Sequence, residues 1–357
     1  MVKQLLKDLI AIDSSTKEGA NAAVEFCQKW LIEQQLPFIS LENNGYKMLI
    51  CEIGSGDKTL TWNGHVDVVS GNRKQFAPLE LDGKIYGRGA ADMKAGVAAM
   101  MCAMASLKEK ALRSRIQLQI VSDEETGGFY GSGYLAEQGY KGDFVICSEP
   151  TQLGIGLQAK GIMQLDIEVK GKAAHGSRPW EGVNAIEKAM DMYHDILQLP
   201  FAKESSAFYS SPSINLAKIH GGEVYNKVPD RCILSLDIRF LPTQTMEDIL
   251  REIKAIAGED VVWYMYGEPV RTEINNPFIQ SLHPLIEKYT HKPAVVFGQH
   301  GSADTRFFSA YGIPAIEFGP SGAHWHGDEE YVEIESIELY QQMLIEFALQ
   351  FDKVEQC

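Results

Sequence analysis

Glu124 and Glu125 stand side by side at the end of the apolar run Ile116–Val121. Adjacent carboxylates repel unless a cation lies between them or one is protonated. In extended chain, neighbouring side chains point to opposite sides, so one glutamate can ligate a metal while the other handles a proton. Glutamate pairs are also common on solvated surfaces. This pair gains meaning from three other places where an apolar run ends in ligand-type residues. Lys58–Asn63 leads into Gly64-His65-Val66-Asp67, Phe144–Cys147 into Ser148-Glu149-Pro150, and Ile313–Phe318 into a loop carrying His324 and His326. A further carboxylate, Asp92, follows Gly87-Arg88-Gly89-Ala90-Ala91. It either caps the helix that follows or, with glycines permitting close backbone approach, joins the same site.

Two histidines and three carboxylates suit two divalent cations of the zinc, cobalt or manganese type better than magnesium or calcium, which prefer all-oxygen shells. A shared carboxylate can bridge two metals held about 3.5–4 Å apart. Glu124 is then left free of metal and close to the bridging water, as a general base. Asp67, two residues past His65, points to the same side if the segment is extended, and can hold the other imidazole nitrogen.

These residues need a scaffold that gathers strand ends. Residues 1–36 read as helix, interrupted at Asp13-Ser14-Ser15 and Gly19. Short apolar strands then alternate with helical stretches, which implies an α/β domain with a mainly parallel sheet. In open sheets of that kind the ligand crevice lies outside the carboxyl ends of the strands, so the four loops can meet. The rhythm changes near Gly161 to strand Met163–Val169, helix Val183–Leu197, strands Ser213–Ile219 and Ile233–Phe240, helix Met246–Ile256 and strand Val261–Tyr266. That βαββαβ order resembles a ferredoxin-like unit. The expectation is a discontinuous catalytic domain, residues 1–160 and 275–357, with an inserted lid or dimerisation domain at 161–274.

Composition narrows the function. The 357 residues suffice for two domains with ample core, and a net charge of −15 argues against non-specific binding to nucleic acid or anionic membrane. Six cysteines without CxxC pairing, mostly in apolar segments, read as buried free thiols in a reducing compartment. The N-terminus carries Lys3, Lys7 and Asp8 on an amphipathic pattern unlike a signal peptide, and no apolar run approaches the roughly 18 residues of a membrane span. The expected location is the cytoplasm. The Met100–Met101–Met104 cluster reads as helix core.

The segments GHVDVV, GRGAADMKAG, SDEETGG, CSEPT, GKAAHGSRP, NKVPD, LDIRF and HGDEEYV, in this order, resemble those of the di-metal amidohydrolase family that includes acetylornithine deacetylase, succinyl-diaminopimelate desuccinylase, aminoacylase and carboxypeptidase G. The resemblance implies His65 and Glu149 on one metal, Glu125 and His326 on the other, and Asp92 bridging. Spacing to Glu329 and Tyr331 selects His326 over His324. It further implies Glu124 as catalytic base, Asp67 as the residue orienting His65, and a cis peptide after Asp92. In the inserted domain it implies His175, often acting across a dimer, as an oxyanion contact, Asn226 as a substrate or oxyanion contact, and Arg239 as the partner of a substrate carboxylate. A tryptophan common after the first motif in that family is replaced here by Ser70-Gly71-Asn72-Arg73. The expected activity is hydrolysis of the amide bond of an N-acetyl or N-succinyl amino acid by a homodimer holding two divalent metals, most simply zinc. A dipeptidase or exo-carboxypeptidase would share every metal residue, and a non-catalytic metal-dependent binding protein is the reading outside enzymology.

Overall fold

The computed structural model describes residues 1–354. Two compact units emerge: residues 1–157, 271–297 and 303 onward form the first, and residues 158–270 with 298–302 the second.

The first unit opens with helix α1 (Val2–Ile10), whose Val2, Leu5, Leu6, Leu9 and Ile10 share one buried stripe. Helix α2 (Lys17–Glu33) begins after Asp13-Ser14-Ser15, with the Thr16 side chain capping the amide of Gly19. Gly19 therefore does not interrupt a helix. It lies in the first turn of one, where a Cβ would sit 1.9 Å from the Asp13 carbonyl oxygen. An antiparallel hairpin follows, β1 (Phe38–Asn43) and β2 (Tyr46–Gly54), joined by Asn44-Gly45 at φ +48° and +77°. Positive φ at both central residues is the type I′ turn that asparagine-glycine favours, a signal the strand pattern alone had passed over.

Among the described residues the main sheet has nine strands, and those that matter to the site are β3 (Thr59–His65), β4 (Arg115–Val121), β5 (Phe144–Cys147), β6 (Ile155–Ala159) and β7 (Ala315–Glu317). Their order is β1-β2-β4-β3-β5-β7-β6. The inner four, β4-β3-β5-β7, run parallel, and the flanking strands antiparallel. Every residue of β3 is buried, as expected for a strand covered on both faces. Because the inner strands are parallel, His65 aligns with Val121, and Asn63 with Cys147. The segments 65–67, 123–125 and 148–149 consequently leave the sheet at one edge.

Helix α3 (Ala95–Leu107) is apolar all round. Met100, Met101, Met104 and Leu107 are fully buried, each worth roughly 1.5–3 kcal/mol relative to exposure. Ala90–Leu107 has the length and hydropathy of a membrane span, contrary to the expectation of no such run, but most of it is buried in this unit's core. The helix meets the sheet closely at Gly96, where a Cβ would lie 2.0 Å from Ser148 Oγ. Helix α4 (Ile334–Gln350) packs against it. A small second sheet joins strands Leu79–Leu81, Lys84–Tyr86, Gly322–Ala323 and Tyr331–Glu333, and so brings together the loops that carry Asp92 and His326.

In the second unit, strands Ser213–Gly221, Arg231–Phe240, Gly161–Lys170 and Val261–Gly267 lie in that spatial order, all antiparallel. Burial alternates along Gly161–Lys170 and Arg231–Phe240, and the buried face packs on helices Ala185–Ile196 and Met246–Ala257. The βαββαβ arrangement anticipated from the sequence is present. The return segment 298–302 also belongs here: Gln299 O accepts from Tyr209 Oη at 2.9 Å and from Lys160 N at 3.3 Å. Cys27, Cys51, Cys102, Cys147 and Cys232 are buried free thiols, while Cys357 lies outside the described residues.

Candidate metal centre

At the carboxyl edge of the parallel strands, His65, Asp92 and Glu149 converge on one point, and Asp92, Glu125 and His326 on another. Asp92 is common to both. Its Oδ1 lies 3.3 Å from His65 Nε2 and its Oδ2 3.3 Å from His326 Nε2. Glu149 Oε1 is 3.8 Å from His65 Nε2, and Glu125 Oε1 is 3.3 Å from His326 Nε2. Within each trio the candidate ligand atoms lie within 4.8 Å of one another.

Local structure explains each placement. Asp92 is not a helix cap: its backbone is non-helical (φ −113°, ψ 97°), it is followed by a cis peptide to Met93, and α3 starts three residues later. Glu124 and Glu125 diverge because they occupy a 3₁₀ turn, Glu124–Thr126, and not extended chain. That turn reverses through Gly127 and Gly128 at φ +114° and +68°, and a Cβ on Gly128 would lie 2.1 Å from Asp304 Oδ1. Glu124 belongs to neither trio. Its Oε2 sits 3.9 Å from His65 Nε2.

The imidazole of His65 decides what this pocket requires. Its Nδ1 lies 3.0 Å from the backbone carbonyl of Asp67, which can only accept, so Nδ1 carries the proton. Nε2 is then a lone pair, buried, without a hydrogen bond among the described residues, and aimed at three carboxylates. Lone pair facing anion is repulsive unless a proton or a cation intervenes. Burial opposes protonation of His65, but the carboxylates of Asp67, Asp92 and Glu124 overcome it and raise its pKa well above the usual range. Burial pushes Glu124 and Glu149 well above ordinary carboxylates and raises Glu125 as well. Burial also acts to raise Asp92, yet the imidazoles of His326 and His65 hold it low. Clustered buried carboxylates around nitrogen lone pairs form a nitrogen–oxygen donor set that fits divalent cations, with Asp92 common to the two trios.

Residues 61–350 match Peptidase family M20/M25/M40. The chain belongs to that family. It is 31% identical to the probable succinyl-diaminopimelate desuccinylase of Staphylococcus epidermidis over 89% of each chain, and 28% identical to the succinyl-diaminopimelate desuccinylase of a Janthinobacterium species over 94% of each. The aminopeptidase PepT of Bacillus cereus shares the fold at a TM-score of 0.82 and 21% identity, covering 98% of this chain and 97% of that one. Bacillus subtilis YXEP, a dinuclear metal-binding peptidase of the M20 family, does so at 0.76 and 16%, covering 99% and 98%.

The remaining anticipated residues of this M20 hydrolase divide by unit. Asp67 holds His65, but through its backbone carbonyl; its carboxylate Oδ1 stands 3.5 Å from Nδ1 while Oδ2 accepts the amide of Glu125 at 2.9 Å. His324 turns its ring toward Tyr331, 5.9 Å between centroids, and is in neither trio. His175, Asn226 and Arg239 belong to the second unit. His175 Nδ1 lies 2.8 Å from Ser177 Oγ, and the Asn226 carbonyl accepts the amide of Gly176 at 2.7 Å, so the two stand on adjacent backbone. Arg239 pairs with Asp237 at 2.7 Å.

Among the buried charged residues that escaped the sequence reading, four stand close to the site. Asp123 and Asp304 lie behind the glutamate turn, and burial pushes them up to about 6 and about 7. Arg88 and Glu330 pair at 2.8 Å. Both sit inside quoted motifs, GRGAADMKAG and HGDEEYV; the signal was a charge set among glycines in one and a second glutamate in the other.

Proposed function

We propose that this M20 hydrolase removes an acyl group, most simply succinyl, from the amino nitrogen of an amino acid of the diaminopimelate type. The observation that carries the chemistry is the pair of trios sharing Asp92 with Glu124 left outside both. The substrate class rests on the desuccinylase relatives.

His65, Glu149 and Asp92 would hold one divalent ion, and Asp92, Glu125 and His326 the other, zinc by the mixed nitrogen–oxygen set. Such ions lower the pKa of a bound water and polarise a carbonyl. Glu124, buried and therefore a stronger base than an exposed carboxylate, takes the proton from the attacking water and returns it to the leaving amine. Asp67 fixes the tautomer of His65 through its carbonyl and the glutamate turn through its carboxylate. His175 and Asn226 hold the tetrahedral oxyanion, and Arg239 exchanges Asp237 for a substrate carboxylate. The working form is a cytoplasmic homodimer in which His175 serves the partner's site. A monomer that retains full activity in sedimentation-resolved assays would overturn the dimer.

The deciding experiment measures Zn²⁺- or Co²⁺-dependent release of free amine from N-succinyl-diaminopimelate, acetylated amino acids and dipeptides. Turnover of the succinylated substrate carries the reading. Turnover of dipeptides alone would make this a peptidase, and bound metal without hydrolysis of any substrate would make it a binding protein.

A further inference from the structure

We infer that Glu330 and Arg88 form a positioning pair that sets the open half of the metal centre, the half built from Asp92, Glu125 and His326. The inference rests on the two-metal reading above and assigns roles to two residues that touch neither ion.

Glu330 is 2% exposed, and its carboxylate is saturated by four donors. Oε1 accepts the amides of Ala91 (3.0 Å) and Asp92 (3.1 Å); Oε2 accepts the amide of Gly89 (3.0 Å) and Arg88 Nη1 (2.8 Å). Three backbone amides curled onto one anion form a nest, which Gly89 permits by adopting φ +78°. The last of those amides belongs to the bridging residue itself. Glu330 also accepts the Gly87 amide on its own carbonyl at 3.0 Å, so both its backbone and its side chain grip the segment leading to Asp92.

Arg88 carries the tie to the other loop. It is 3% exposed, and its Nη2 donates to the carbonyl of His326 at 3.3 Å and of Ser70 at 3.4 Å. His326 needs such a tie. Its side chain is 51% exposed and its backbone sits at φ +63°, in a loop that strand pairing holds only at its ends. His65, by contrast, is 1% exposed and ends a fully buried strand. One buried ion pair thus joins the backbones of two of the three ligands in the open half, while His65 and Glu149 of the deep half are placed by the parallel sheet.

A pair that merely supports the fold would, when altered, lower the melting temperature of the metal-free protein and leave metal affinity alone. A positioning pair changes affinity, and more at the open half than at the deep half. The test titrates Zn²⁺ into the chelator-stripped full chain against a chromophoric competitor, for wild type, Glu330→Asp, Glu330→Gln and Arg88→Lys. His326→Ala identifies which binding step belongs to the open half. Glu330→Asp keeps the charge beside Arg88 but shortens the reach to the amides, and carries the test if Glu330→Gln fails to fold by circular dichroism. The expected result is a 10- to 100-fold weaker open-half step, the usual scale for residues behind a ligand, with the deep-half step, which shares only Asp92, weakened several-fold less. Two unchanged steps in folded variants, or equal weakening of both, would overturn the positioning role. A wild-type chain binding fewer than two Zn²⁺ would overturn the metal-centre reading itself, and this inference with it.

Discussion

The two halves of the site are built from the same chemistry and held by different means. The deep half hangs on strand ends: His65 closes β3, Glu149 follows β5, and both are covered by core. The open half hangs on loops: Glu125 in a 3₁₀ turn and His326 half exposed in a hairpin loop. Asp92 joins them. A ligand on a sheet edge inherits the rigidity of the sheet, whereas a ligand on a loop must be fastened by side chains.

The largest effect expected concerns the group between the halves. Glu124→Gln keeps the shape of the side chain and removes its basicity, so turnover should fall about 10²- to 10⁴-fold while both metals remain bound. Steady-state kinetics beside metal analysis check this, and near wild-type turnover would remove Glu124 from the chemistry.

Exchanging each histidine for alanine compares the halves directly. His65→Ala empties a packed position and should cost about 2–4 kcal/mol of metal-free stability. His326→Ala removes a half-exposed ring and should cost under about 1 kcal/mol. Each should delete one binding step. Equal stability costs in denaturant titrations would mean that the deep half is no better built than the open one.

The glutamate turn is also backed by buried carboxyls, which predicts a direction for pH. Asp304 is raised from 3.8 to about 7 because burial penalises its charge, and Asp123 is raised to about 6. Above its unfolded pKa each group holds its proton more tightly in the folded state than in the unfolded one. The folded protein therefore loses stability as pH rises from about 4 toward 7, by at most about 1.4 kcal/mol per pH unit per group. Melting of the metal-free protein should show this fall, and Asp304→Asn should flatten it. An unchanged slope in that variant would place the titration elsewhere.

The smallest effect supplies a benchmark outside the centre. Arg239→Ala breaks a partly exposed pair with Asp237 and should cost under about 1 kcal/mol of stability. It should raise KM for a carboxylate-bearing substrate about tenfold if Arg239 binds that group. A KM that does not move would leave it as an ion pair only.

Much of this was legible from local pattern. The strand Phe144–Cys147 follows from a short continuous apolar run, and the central strands of the βαββαβ unit from apolar residues with period two. The ligand types follow from where those runs end. What stayed hidden depended on neighbours distant in sequence. The β1–β2 hairpin carried its asparagine-glycine signal but little strand alternation, since Phe38–Asn43 is a largely exposed edge. The orienting atom of Asp67 proved to be its carbonyl, 3.0 Å from His65 Nδ1, with the carboxylate oxygen standing off at 3.5 Å.

By itself the sequence determined which residues could hold divalent ions, that a mainly parallel sheet would carry them, and that the family's ordered motifs run through most of the chain. These depend on residue type and short-range periodicity, which are written locally. Only the tertiary structure decided that Glu124 and Glu125 diverge through a 3₁₀ turn, that Asp67 holds His65 by its backbone carbonyl, and that Glu330 reaches the backbone of Asp92 from 238 residues away. Those facts depend on strand order and on the packing of loops whose ends meet only in the folded chain, where a buried carboxylate must find its donors wherever the fold brings them.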